Sequence, residues 1–387
     1  MTIDYAALAQ SGVAAWKRGD ARAAQAAFAR IEEDGRGTHQ LRLLLAQASV
    51  AVDDQPVAIR ALDRVLGEEP TNLHALILRG DLHTRADDPR AAVSWYQAAL
   101  AQAPRAGALS PDLVAALDRG RAAVAAASGA FEAHLDRATR DCRAAAGARF
   151  DEALQILTGR NEPFLQQPTS FYYPGLPARP FFDPADFAWV AQVEAAAPAI
   201  SEEVSAILAD EEALSPYVVA QADRPNKRHA LLDDPAWSAF HLLRDGQEVP
   251  ANVARCPATM AALAAIPIPW IARRSPMALL SVLRAGTHIP PHTGMLNTRL
   301  ICHLPLIVPQ GCRLRVGNIE RTVEPGRMMI FDDSIEHEAW NDSDAVRVVL
   351  LFEIWHPALT EAERTALTAL YEAISDYGPQ QQATAGA

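Results

Sequence analysis

Cysteine is scarce in this 387-residue chain, with four residues (Cys142, Cys256, Cys302 and Cys312) and no CxxC pair. That spacing excludes a disulfide framework and a thiolate zinc site, and it fits a reducing compartment. Positive charge is also short. Lys plus Arg number 35 against 47 Asp plus Glu, a formal net charge of −12 with a pI of about 5.4. Such a chain has no general electrostatic grip on phosphate backbones, so no nucleic-acid partner is expected. Long apolar runs are missing too. No ~18 uninterrupted apolar residues occur, and MTIDYAALAQSGVAAWKRGD lacks a basic start, an apolar core and a cleavage site. No transmembrane segment is expected, and the location expected is cytoplasmic.

What is present is a chain that is 50% apolar, long enough for two or three domains at roughly 100–200 residues each. The first hundred residues are Ala-rich with helical periodicity, and they align with themselves at an offset of 34. Phe28, Leu62 and Tyr96 share that register, as do Ala24, Ala58 and Ala92, and Gly12, Ala46 and Gly80. Small residues let paired helices approach, a large apolar residue fills the groove, and Pro70 and Pro104 stop the later units. The first unit has Gly35 near the place of the proline. The pattern resembles tetratricopeptide repeats, which implies a concave surface that binds peptides or proteins.

Residues 1–105 are therefore read as an α-solenoid of such repeats, and 106–165 as a helical cap or connector whose helix starts at Ser110-Pro111-Asp112. Prolines crowd the stretch from Asn161 to Asp186, the expected domain entry, and a polar helical pattern runs to about Leu214. After Pro269 short apolar runs alternate with turns: MALLSVL, RLICHLPLIV, CRLRV, RTV, RMMIF and VRVVLLFEIW. They predict an antiparallel sandwich or barrel within 166–375, closed by an amphipathic helix and followed by a disordered tail, 376–387.

Four histidines lie in or near the strand-rich stretch: His288, His292, His303 and His337. Pro290-Pro291 is expected to end a strand beside His292, and His337 follows another strand. Imidazoles on two strand ends, 45 residues apart, can converge at a barrel mouth where a metal is reachable. Non-haem iron is ordinarily held by two histidines and a carboxylate, and the position two after His292 is Gly294, which by spacing alone counts against iron.

The stretch GTHIPPHTGMLNTRLICHLPLIVP, with GCRLRVGN and RTVEPGRMMIFDDSIEHEAWNDSDAVRVVLLFEIWHPALTEAE after it, resembles the catalytic domain of aspartyl/asparaginyl β-hydroxylases. FYYPGLPARPFFDP and PAWSAFHLLRDGQ extend the likeness more weakly, so that it covers roughly Ser170 to Ala366. The resemblance implies a double-stranded β-helix, or jelly roll, and an oxidoreductase using Fe(II), 2-oxoglutarate and O2. It implies two histidine ligands with a glycine in the carboxylate's place, which turns Gly294 into support. His292 and His337 match the metal ligands. Arg347 and Ser281 match the groups on the distal carboxylate of 2-oxoglutarate, and His303 matches a histidine near its other end. Arg299 and Trp237 match positions on the substrate side, and Asp333 is read as a group behind the ligands. The family usually has a second arginine where this chain has Ile301. Either Arg299 takes over, or the substrate lacks the acid group that the animal peptide-hydroxylating members recognise.

The reading is thus a dioxygenase that hydroxylates an unactivated carbon, foremost the β-carbon of Asp or Asn in a peptide or protein recruited by the repeats. The same chemistry on a lipid acyl chain or small metabolite stays open, as does a non-catalytic interaction protein with a remnant barrel. Glu336 and Glu338 flank a ligand as solvated charges, and His288 is expected outside the metal shell. Stereochemistry, the repeats' ligand and the oligomeric state are not legible.

Overall fold

A computed structural model describes residues 3–105, 107–220, 225 and 229–377. The chain separates into two compact units, Met1–Arg160 and Asn161–Ala387.

The first unit is an array of helical hairpins. Helices α1 (Tyr5–Lys17) and α2 (Ala21–Glu33), α3 (His39–Ala51) and α4 (Gln55–Glu68), and α5 (Leu73–Arg85) and α6 (Pro89–Gln102) pair in turn. Their starts follow the 34-residue period. Asp4, Thr38 and Asn72 cap the first helix of each hairpin, and Asp20, Asp54 and Asp88 the second, each side chain accepting a backbone N–H of the first turn. The core pairs follow it too. Phe28 and Tyr96 sit across from Gly12 and Gly80, where an added Cβ would lie 2.7 and 2.5 Å from the rings, whereas the smaller Leu62 shares its cluster with Ala46. Gly35, at φ +68°, turns the chain out of α2 where later units use proline. Helix α7 (Pro111–Ala146) begins at the Ser110 cap, and with α8 (Ala148–Leu157) it falls within the first unit, where Leu113 and Leu117 pack against Leu73, Leu76, Ile77 and Ala99 of the last hairpin.

The second unit is built on antiparallel strands. Its larger sheet runs β1 (Phe181–Phe182), β10 (Met329–Phe331), β7 (Arg299–Ile307), β12 (Arg347–Trp355), β5 (Ala278–Leu283), β3 (Trp237–Arg244) and β2 (Ser215–Pro216), with β4 (Gln247–Glu248) beside β3. The smaller sheet runs β6 (Thr287–His292), β11 (His337–Asn341), β8 (Cys312–Val316) and β9 (Ile319–Thr322). One face of the larger sheet packs on α9 (Val190–Leu208), with Phe240, Leu280, Leu304, Leu350 and Phe352 meeting Val193, Ile200 and Val204. The other faces the smaller sheet, where Leu279, Leu283, Ile301, Phe331 and Leu351 join Ile289, Leu314, Val316 and Ala339. Burial on both faces explains why β5 and β12 read as nearly unbroken apolar runs.

Two expectations need correction. Pro290 and Pro291 do not end a strand but lie inside β6, which a sheet edge tolerates because no ladder N–H is needed on its open side. His337 follows β10, as expected, and opens β11. The expected tail begins too early: Asp376 and Tyr377 close the last helix, Glu361–Tyr377, and 378–387 lie outside the described residues. That helix is started by reciprocal bonds between Thr360 and Glu363. No described helix is long and apolar enough to cross a membrane.

Candidate active site

His292 ends β6, His337 begins β11, and the pairing of these strands sets the two residues directly opposite each other. Their ring centroids are 4.1 Å apart. His292 Nδ1 donates to Pro290 O at 2.8 Å and His337 Nδ1 to Ile335 O at 3.1 Å. With both Nδ1 protons so engaged, each ring has its Nε2 lone pair for a metal. Burial pushes the imidazoles down, His292 to about 3 with His337 adding like-charge repulsion, and His337 to about 4. Both are neutral near pH 7, the state in which histidine ligates. Among the described residues no third His, Cys, Asp or Glu completes a group of three.

Gly294 explains why. A Cβ there would fall 2.0 Å from Asp333 Oδ2, so the carboxyl of Asp333 already fills the space beside the backbone. Gly294 N also donates to Asp333 O at 2.6 Å, which ties the two loops together.

The pair opens onto a cavity of about 590 Å³ including its mouth, lined by all eight residues singled out from the sequence: Trp237, Ser281, His292, Arg299, His303, Asp333, His337 and Arg347. Strand alternation puts them there. Arg299, Ile301 and His303 share one face of β7, and Arg347, Leu351 and Glu353 one face of β12. Arg347 is 3% exposed, and no carboxylate pairs with it among the described residues; its Nη1 is buried without a partner. Burial brings its guanidinium down to about 10, still a cation at neutral pH. A buried cation without a counterion is costly, and it is relieved when an anion enters. Ser281 Oγ accepts the Trp237 indole N–H at 3.1 Å, which leaves its own hydroxyl proton free to donate. His303 Nδ1 is buried and unpartnered, and burial holds that ring well below the ordinary histidine range.

At the Arg299 end the guanidinium pairs with Glu353 and lies 3.3 Å from Asp333 Oδ2. Burial raises Asp333, opposed by Arg299. Tyr217 stacks on Trp237, with centroids 4.0 Å apart and planes at 11°, and burial pushes its phenol up to about 12. Sequence reading missed Tyr217 and Glu353. Nothing in its neighbourhood marked Tyr217, but Glu353 is a lone acid in an apolar strand on the parity of Arg347, a signal that was readable. His288 lies elsewhere, stacked on Trp340 and bonded to Glu338 at 2.8 Å, and Glu336 and Glu338 pair with Arg315.

Residues 194–357 match the family model described as Aspartyl/Asparaginyl beta-hydroxylase. Aspartyl/asparaginyl beta-hydroxylase of Mus musculus is 39% identical over 135 residues, 35% of this chain and 18% of the relative. Ornithine lipid ester-linked acyl 2-hydroxylase of Rhizobium tropici is 34% identical over 186 residues, 47% of this chain and 63% of the relative. Aspartate beta-hydroxylase domain-containing protein 2 of Homo sapiens is 33% identical over 218 residues, 54% of this chain and 56% of the relative. The chain thus spans from under a fifth to about three fifths of these relatives. Among solved structures, a cupin domain of Schizosaccharomyces pombe Cnp3 overlaps 41% of this chain and 80% of its own at 11% identity and a TM-score of 0.22, too slight a likeness to build on. Residues 194–357, within the strand-built unit and under half of the chain, are thus similar to the aspartyl/asparaginyl β-hydroxylase family.

Proposed function

We propose that this protein is an iron(II)- and 2-oxoglutarate-dependent dioxygenase that hydroxylates an unactivated carbon. The observation that carries it is the buried, unpaired Arg347 in the same cavity as two neutral histidines with free Nε2 atoms. The strand order, with chain-distant β7 and β12 adjacent and β6 beside β11, supports a double-stranded β-helix.

His292 and His337 would hold the metal. Iron with 2-oxoglutarate and O2 supplies the oxidation: R–H becomes R–OH while the cosubstrate leaves as succinate and carbon dioxide. The protein's residues bind and orient. Arg347 and Ser281 take the distal carboxylate, the guanidinium and hydroxyl together fixing its direction. Trp237 donates to the Ser281 oxygen and leaves the hydroxyl proton free for the ligand. Apolar Ile289, Leu314, Phe331 and Leu351 keep water from the aliphatic part of the cavity. The substrate side is the wall of Tyr217, Arg299 and Ile301. The β-carbon of an Asp or Asn residue in a peptide is the substrate that the family name suggests, and the lipid acyl 2-hydroxylase relative supports an acyl chain as the second reading. The helical hairpins, read as tetratricopeptide repeats, would recruit a peptide or protein. Four free cysteines, three of them buried, favour a reducing, cytoplasmic location.

The test is succinate formation from 2-oxoglutarate by purified protein with iron(II) and oxygen, compared with His292→Ala, His337→Ala and Arg347→Ala. Succinate made by the wild type and lost in all three variants is expected. Absence of succinate, with no binding of iron or 2-oxoglutarate, overturns the proposal in favour of a non-catalytic barrel.

A further inference from the structure

The far end of the cavity from Arg347 is governed by Arg299, and its neighbours decide what a substrate meets there. Arg299 Nη1 is paired with Glu353, a side chain 1% exposed that also accepts from Ser275 Oγ and from Met277 N at 3.1 Å. Arg299 Nη2 lies 3.3 Å from Asp333 Oδ2, and Asp333 is packed against Gly294. One guanidinium therefore serves two buried carboxylates. This trio carries a formal charge of −1 with both acids ionised and zero with one protonated, so by itself it presents no net positive charge; Arg274, whose guanidinium lies over the Tyr371 ring at 4.5 Å and interacts with Glu353 and Arg299, is not among the residues that line the cavity.

The rest of the wall is apolar or neutral. Ile301, 5% exposed, stands two residues along the same face of β7, paired across the sheet with Phe331 and Glu353. Tyr217, stacked on Trp237, and Met277 line the same cavity. Among the described cavity-lining residues the other guanidinium is Arg347, which the cosubstrate's distal carboxylate would occupy. A second carboxylate entering beside Arg299 would lose its water and find Asp333 on the cavity wall, an Arg299 already paired with Glu353, and no free cation among the described lining residues. An uncharged oxygen is different. Arg299 Nε is buried without a partner and offers one N–H, enough for a carbonyl oxygen without a counter-charge.

We infer that the substrate group held at the Arg299–Ile301 wall is an uncharged carbonyl-bearing group, a carboxamide or neutral acyl group next to the oxidised carbon, and not a carboxylate. This rests on the hydroxylase reading above, and it turns Arg299 from a carboxylate receptor into a residue neutralised by its own fold. Of the two amino acids in the family name, it selects asparagine over aspartate.

The experiment uses the full chain loaded with iron(II) and 2-oxoglutarate under nitrogen. Calorimetric binding of 2-oxoglutarate is measured first, and its absence sinks the hydroxylase reading independently of this inference. Two probes are then titrated: N-acetyl-L-asparagine amide and its acidic isostere N-acetyl-L-aspartate α-amide. The wild type should bind the neutral probe at least tenfold more tightly, and Ile301→Arg should reverse the order by supplying the missing cation. Glu353→Gln, which removes one of the two charges on Arg299, should also gain affinity for the acidic probe, with circular dichroism confirming that each variant is folded. Capture of the acidic probe by folded Ile301→Arg alone, with neither probe bound by the wild type, also supports the inference. Equal or tighter binding of the acidic probe by the wild type overturns it. So does failure of both probes with the wild type and both variants, because the wall would then not be a substrate contact.

Discussion

Gly294 and Asp333 occupy one space: a methyl group on the glycine would meet the aspartate carboxyl at 2.0 Å. The absence of a carboxylate ligand two residues after His292 is thus a packing consequence as well as a matter of coordination. The backbone at Gly294 needs no left-handed conformation, so a substitution there acts through Asp333 and not through local strain. Gly294→Ala should cost ~1–3 kcal/mol, a typical overpacking penalty, and lower 2-oxoglutarate turnover at least tenfold by displacing Asp333 from Arg299. Asp333→Ala in the same chain should restore part of the lost thermal stability. Strictly additive losses in the double variant would show that the two side-chain positions do not compete.

Trp237 acts through Ser281. Its indole N–H donates to the Ser281 oxygen and leaves the hydroxyl proton free to donate to a ligand in the cavity. Trp237→Phe keeps most of the ring and removes that donor, worth ~1 kcal/mol. The expected result is a KM for 2-oxoglutarate raised about fivefold with kcat little changed, and a similar effect from Ser281→Ala. Because both changes break one chain of contacts, the double variant should be little worse than either alone. A kcat loss with an unchanged KM would place Trp237 with the substrate instead.

The match of glycine to ring in the hairpin array gives a third expectation. At Gly80 an added Cβ would sit 2.5 Å from the Tyr96 ring, whose hydroxyl is held by Asp81 at 2.8 Å and Thr84 at 3.1 Å and cannot easily retreat. Gly80→Ala should therefore destabilise by ~1–3 kcal/mol, although alanine is the better helix former by ~1 kcal/mol. Thermal unfolding checks it. A rise in Tm would show that propensity outweighs packing at this position.

Much of this architecture was written in spacing. The 34-residue period governs not only the large and small core positions but also the caps at Asp4, Thr38 and Asn72 and at Asp20, Asp54 and Asp88. The cavity residues were legible because His292, His337, Arg347, Ser281 and His303 fall in a recognisable motif, and strand alternation turns that motif into one lining. The prolines of β6 misled because Pro-Pro normally stops a strand, and only the sheet order reveals an edge. Tyr217 stayed invisible because its role comes from stacking on Trp237, twenty residues away in a segment without periodicity. Whether Arg299 was free could not be read either, since its neutralisation needs Glu353 and Asp333 from two other strands' neighbourhoods.

Burial of imidazoles also sets how stability responds to acid. His292, His337 and His241 are pushed down to about 3, 4 and 4, in each case chiefly by burial. The unfolded chain protonates each near ~6.5, whereas the folded chain does not until the pH is far lower. Below ~6.5 the unfolded state thus binds more protons, so stability falls as pH drops and levels off only near the folded values. Asp332 works in the opposite sense. Burial raises it to about 6, so between that value and ~4 the folded state takes up its proton first and offsets part of the loss. Tm of the metal-free protein should be level between pH 7 and 8 and decline from about pH 6.5 downward. A metal bound to the two Nε2 atoms competes with those protons, so added iron(II) should raise Tm at pH 7 and raise it less at pH 5. His292→Ala should abolish the metal increment and leave the part of the acid decline that belongs to the other buried histidines, among them His337, His303 and His241. A flat Tm from pH 7 to 5, or a metal increment indifferent to pH, would mean that these histidines are hydrated in solution and that the cavity is more open than the structure shows.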